Sequence, residues 1–115
     1  MQVIFQITSS DRRMQQSMLG QLNNLLQYFH QKEVRISVEV AVHGEAFNLL
    51  LQQDNPLAGK VEDLHNRSVQ WLICENTLRS NDLQHTNLLP FTSTVPAAIG
   101  HLVERQLQGW AYIRC

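Results

Sequence analysis

Cysteine is scarce in this sequence. Cys74 and Cys115 are the only two, too few for the disulfide framework that a small secreted domain depends on. A reduced, cytoplasmic setting is therefore expected, and the sequon at Asn66 carries no meaning there. Proline and glycine are sparse as well, at three and five residues, which excludes collagen-like and low-complexity chains. No apolar run approaches the length of a membrane span. The opening Met1–Arg13 has no basic segment before its apolar run and no small-residue cleavage site, so it does not read as a secretory signal. An excess of one charge is also missing: 9 Lys and Arg stand against 10 Asp and Glu. Without a basic stripe, nucleic-acid binding is disfavoured.

Several chemistries lack their residues. There is no C-x-x-C and no close His/Cys/carboxylate spacing, so no metal site is expected. Glycine-rich phosphate and dinucleotide loops are absent, and so is the G-x-S-x-G turn of a serine hydrolase. No cofactor is called for.

What remains is an ordinary folded chain, 43% hydrophobic and 17% charged over 115 residues. That length suits one domain with one core, residues 1–115. "QVIFQIT" (2–8) reads as a buried strand, followed by a "TSSD" helix cap through Ser9, Ser10 or Asp11. From Asp11 to Lys32, Met14, Met18, Leu22, Leu25, Leu26 and Phe29 form one apolar helical stripe. Residues 34–44 alternate as a second strand ended by Gly44, with a half-polar face. A short helix over "EAFNLLLQQ" follows, then a helix beginning near Pro56 with Leu57, Val61 and Leu64 inward. "VQWLIC" is the third strand and "TSTV" a weak fourth, closed by Pro96. In "AAIGHLVERQLQ", Ile99, Leu102, Val103 and Gln106 share a helical face, and Gly109 ends that helix in a left-handed conformation. "WAYIRC" is the last strand.

Strands alternating with helices imply an α/β fold: a three-layer α/β/α domain around a mainly parallel five-stranded sheet, flavodoxin-like. In such sheets chemistry gathers at the carboxyl edge of the strands. That edge collects Thr8 and Ser9, His43 and Gly44, Cys74, Glu75 and Asn76, and Val95 and Pro96, with Thr77 a further binding candidate. Cys74 follows "WLI" at a strand end, where the amides of "ENTL" would stabilise a thiolate. Its plain alternative is packing, since unpaired cysteine is among the most buried residue types. His43 would assist proton movement if the second and third strands share a pocket; otherwise it is a strand-end histidine bonded to backbone. Cys115 is a candidate resolving thiol only if the fold brings it within bonding reach of Cys74.

"VIFQIT", "VAVHGEAFNLLL", "WLICENTLRSNDL" and "NLLPFTSTVPAAIGHLVERQLQGWAYIR" together resemble the single-chain branch of the DsrE/DsrF-like family across nearly the whole chain. The telling pieces are "HG", "C-x-N-T-L", "LLP", "VPAA" and "QxGWAYI", in that order. The resemblance implies a homo-oligomer, commonly a trimer or hexamer, that handles reduced sulfur as a persulfide on the cysteine after a central strand. Cys74 occupies that junction, and His43 and Asn76 fall on the "HG" and "C-x-N-T-L" positions. The expected function is a sulfur carrier or sulfurtransferase-like protein with donor and acceptor protein partners, neither nucleic acid nor membrane among them. Two other readings stand beside it: a noncatalytic oligomeric module binding a small ligand or protein, and a redox sensor pairing Cys74 with Cys115. Access separates the first two, because a carrier needs Cys74 reachable in a pocket and the module leaves it sealed.

Overall fold

The structure is a computed structural model that describes residues 1–115. Five strands form one sheet: β1 (Gln2–Ile7), β2 (Ser37–Val42), β3 (Val69–Cys74), β4 (Ser93–Val95) and β5 (Ala111–Arg114). Their order is β4-β3-β2-β1-β5, and every pairing is parallel. The expected three-layer α/β fold is present.

The two faces of the sheet are covered unequally. Val3, Phe5 and Ile7, Val38, Val40 and Val42, and Val69, Trp71 and Ile73 project to one side and join a buried cluster of 21 residues. Alternation along each strand dictates this. Helices α1 (Arg12–Gln31), α2 (Ala58–Asn66) and α3 (Glu75–Ser80), with the 3₁₀ helix Gly44–Leu50, supply the covering side chains. On the opposite face, Ile4 and Ala41 meet Leu102 in a cluster of only three buried residues. Helix α4 (Ala98–Leu107) covers that face as the chain crosses from the edge strand β4 to the other edge strand β5.

Helix α1 starts where Asp11 accepts a hydrogen bond from the Arg13 amide, the cap expected of the "TSSD" cluster. Its buried side is shifted from the apolar stripe: Gln15, Met18, Leu19 and Leu22 are inside and Met14 is exposed. Gln15 is tolerated there because its amide donates to Ser9 O at 2.9 Å and Asn48 Oδ1 at 2.6 Å, while Arg12 donates to its carbonyl. A buried polar group with its partners in place costs little.

Helix α4 departs further from expectation. Ala98 and Leu102 face the sheet, whereas Ile99 and Val103 are exposed. The inward side carries charge: Arg105 donates through Nε and Nη2 to both oxygens of Glu39, at 2.9 and 2.8 Å, and His101 lies 2.9 Å from the same carboxylate. The Arg105 guanidinium also lies over the Trp110 ring, 4.5 Å from its centroid. Burial raises the Glu39 pKa, but the hydrogen bonds and charges of Arg105 and His101 outweigh it and hold the carboxyl below its usual value. The fold thus aims this helix by a bidentate ion pair as much as by apolar contact.

Strand boundaries are tighter than the alternation suggests. Val34 and Ile36 precede β2, and α2 begins two residues after Pro56. Gly109 has φ +88°, as expected after a helix end. No helix is long and apolar enough to cross a membrane.

Candidate functional site at the carboxyl edge of the sheet

Cys74 is the last residue of β3, and alternation puts its side chain on the α4 face with Leu72. His43 follows β2 directly, one step beyond the register pair Val42–Ile73, so it is the cross-strand neighbour of Cys74 on that face. Its amide still donates to Ile7 O of β1 at 3.3 Å. Gly44 then turns the chain with φ +61°, a conformation that favours glycine. The Gly44 amide donates to Thr77 Oγ1 at 3.2 Å, which ties this turn to the first turn of α3.

These residues line an open pocket of about 380 Å³ with Asn76, Asn81 and the start of α4. Cys74 keeps only 6% of its surface. Its thiol therefore forms part of the pocket wall, neither projecting into solvent nor sealed in the core. The amide that reaches the sulfur comes from an unexpected quarter: Ala98 N–H donates to Cys74 Sγ at 3.4 Å. Ala98 is the first residue of α4, a ten-residue helix, so the sulfur sits at the positive end of that helix, where an anion is stabilised. The amides of Glu75 to Leu78 make no bond to it.

His43 is half-buried, and its ring is held from the β1 side: Gln6 Nε2 lies 2.8 Å from His43 Nε2. Burial, and then the charge of Arg114, push its pKa below the ordinary imidazole value, so the ring is neutral at neutral pH. Asn76 accepts a hydrogen bond from Arg79 through Oδ1.

Of the residues expected at this edge, Cys74, His43, Asn76, Gly44 and Thr77 meet in the pocket. The others lie apart from it. Thr8 packs under Gly44, where an added Cβ would meet Thr8 O at 3.5 Å. Ser9 supports the cap of α1, Glu75 opens toward Arg79 and His85, and Pro96 precedes the pocket-lining Ala97. Two contributors were missed from the sequence: the Ala98 amide, which only the long crossover delivers, and Gln6. A glutamine inside a buried strand was the one available hint of a polar partner.

Cys115 does not join the site. It follows β5, which is separated from β3 by β2 and β1; three strand spacings of about 4.8 Å make roughly 14 Å, beyond disulfide reach within one chain. Both cysteines are free, and burial pushes the Cys115 thiol pKa up.

Comparison with known proteins agrees with this architecture. MTH1491, a protein of unknown function from Methanobacterium thermoautotrophicum, superposes with a TM-score of 0.91 at 30% identity, over 99% of this chain and 98% of its own. The ychN protein from E. coli matches in fold, with a TM-score of 0.70 at 13% identity and full coverage of both chains. No curated protein matches the sequence. The model of the DsrE/DsrF-like family matches residues 1–115, and the chain therefore belongs to the DsrE/DsrF-like family, whose functional connection is with sulfur metabolism.

Proposed function

We propose that this protein is a cytoplasmic sulfur carrier that holds a sulfur atom as a persulfide on Cys74 and passes it to an acceptor thiol. The observation that carries the reading is the bond from the Ala98 amide to Cys74 Sγ at the wall of an open pocket shared with His43. A backbone donor and a helix N-terminus at the sulfur are the contacts a thiolate uses, and the thiolate is the nucleophile in sulfur exchange. In loading, the Cys74 thiolate attacks the outer sulfur of a donor R–S–SH; the new S–S bond forms as the donor bond breaks, and RS⁻ leaves. In unloading, an acceptor thiolate attacks the outer sulfur of Cys74–S–SH, takes it, and returns the Cys74 thiolate. Neither step needs an oxidant. Asn76 and the Ala98 amide would support the anion.

Assembly into a homo-oligomer, a trimer or hexamer, belongs to the same reading. It is supported by the thin cover of the α4 face and by the exposed apolar residues Ile99, Val103 and Leu107, with Tyr112 and Ile113 at the β5 edge. The rival, a noncatalytic binding module, draws support from the low exposure of Cys74.

Intact-mass analysis after incubation with a small persulfide donor decides between them. The native chain and Cys115→Ser should gain one sulfur atom, and Cys74→Ser none. An adduct confined to Cys115, or none at all, contradicts the carrier.

A further inference from the structure

The row of side chains on the α4 face does not end at His43. Because Val3, Phe5 and Ile7 point into the main core, Gln6 points to the α4 side, one strand beyond His43. Tyr112 pairs in register with Ile4 and lies on the same side. The row therefore runs from Cys74 on β3 through His43 and Gln6 to Tyr112 on the edge strand. Two hydrogen bonds connect its last three members: Gln6 Nε2 to His43 Nε2 at 2.8 Å, and the Tyr112 hydroxyl to Gln6 Oε1. Gln6 is buried, at 6% exposure.

A carboxamide nitrogen can only donate, so the ring nitrogen facing it must accept and carries no proton. The single proton of the neutral imidazole is then on Nδ1. We infer that Gln6 and Tyr112 are positioning residues for His43: the Tyr112 hydroxyl orients the Gln6 carboxamide, and the carboxamide holds His43 as the neutral Nδ1–H tautomer, a hydrogen-bond donor.

The Tyr112 hydroxyl sets the direction because a phenol donates more strongly than it accepts, and here it donates to Oε1. A reversed carboxamide would present oxygen to the ring and call for a proton on Nε2. The surroundings of the ring oppose the charged form: it is half-buried, and Arg114 on β5 repels a second cation. The other ionisable groups nearby are Glu45 and Cys74 in the pocket lining, Arg79 bonded to Asn76, and Tyr112 beyond Gln6. His43 Nδ1 bonds to no protein group and is not sealed from solvent, so the proton it carries is free for a ligand of the pocket. A neutral donor there supports an anionic sulfur without drawing a proton from the thiol. That consequence rests on the carrier reading, but the tautomer does not.

Long-range ¹H–¹⁵N correlation spectra of ¹⁵N-histidine-labelled protein test the inference directly. In the native protein, His43 should show a protonated Nδ1 and a bare Nε2, with a titration midpoint below that of an ordinary imidazole. Gln6→Glu places an acceptor at Nε2; the proton should move to Nε2 and the midpoint rise by about one unit or more, a tenfold gain in proton affinity. Tyr112→Phe removes only the orienting hydroxyl of a partly exposed residue, which keeps the test available should the buried Gln6→Glu chain not fold. It should mix the tautomers and raise the midpoint by less. A native ring protonated on Nε2, or tautomer and midpoint both unmoved in Tyr112→Phe, overturns the inference. Sulfur loading is read separately by mass: the tautomer without loading removes only the carrier reading, and loading with Nε2 protonated removes only this one.

Discussion

Replacing Arg105 by leucine should be among the most damaging single changes on the α4 face. The substitution removes both hydrogen bonds to the Glu39 carboxylate and the stacking on Trp110, leaving His101 as the remaining partner. Removing one partner from a buried pair costs about 3–5 kcal/mol, chiefly because the other charge is stranded. The side chain of Glu39 is 5% exposed and that of Arg105 28%, and His101 stays, so the lower end, about 3 kcal/mol, applies. For a chain of this length each kcal/mol moves Tm by about 4 °C, so a fall of roughly 12 °C is expected. The double variant Glu39→Leu/Arg105→Leu removes the stranded charge and should recover most of that loss. Thermal unfolding of the native, single and double variants, followed by circular dichroism, measures all three. A single-variant fall below about 4 °C, or a double variant no better than the single, would refute the claim that a buried ion pair aims this helix.

Gly44→Ala should cost about 1–2 kcal/mol in urea unfolding, because φ is +61° there while the nearest backbone contact would be an ordinary 3.5 Å; a neutral substitution would contradict the conformational argument. Acid should weaken the fold in two windows of the same sign. The folded His43 pKa lies below the unfolded value of about 6.5, so between the two the unfolded chain takes up a proton that the folded chain refuses, and stability falls as pH drops through that window. Glu39, also lowered, adds a loss beginning as pH falls below the unfolded value of about 4.3. His43→Asn should flatten the first slope in urea unfolding measured from about pH 7.5 to pH 5, and an unchanged slope would contradict the assignment.

What the sequence disclosed, and what it hid, follows from where each residue's partners lie. β3 was legible because "VQWLIC" is a short apolar run buried on both faces of the sheet, with Gln70 its one exposed residue, and β1 for the same reason, with only Gln2 exposed. The junction of Cys74 and His43 followed from parallel strands ending on one edge. Helix α1 was found but rotated, because Gln15 is buried by partners at Ser9 and Asn48 that periodicity does not register. In helix α4 the apolar spacing failed to mark the buried side for a stronger reason. Its sheet-facing side holds His101 and Arg105, bound to a glutamate more than 60 residues earlier, while Ile99 and Val103 face outward. A rule that places apolar residues inside fails when the inside is ionic. Separation in sequence also concealed the Ala98 amide from Cys74, 24 residues away.

Transfer is the property that separates a carrier from a packed or merely oxidisable thiol. The decisive measurement loads the native protein with a persulfide donor, removes the donor, adds a small thiol acceptor, and follows the intact mass with time. The carrier account predicts one extra sulfur on Cys74 that departs as the acceptor gains it, with the chain returned to its starting mass. A sulfur that never arrives at Cys74, or that arrives and cannot be passed on, contradicts it.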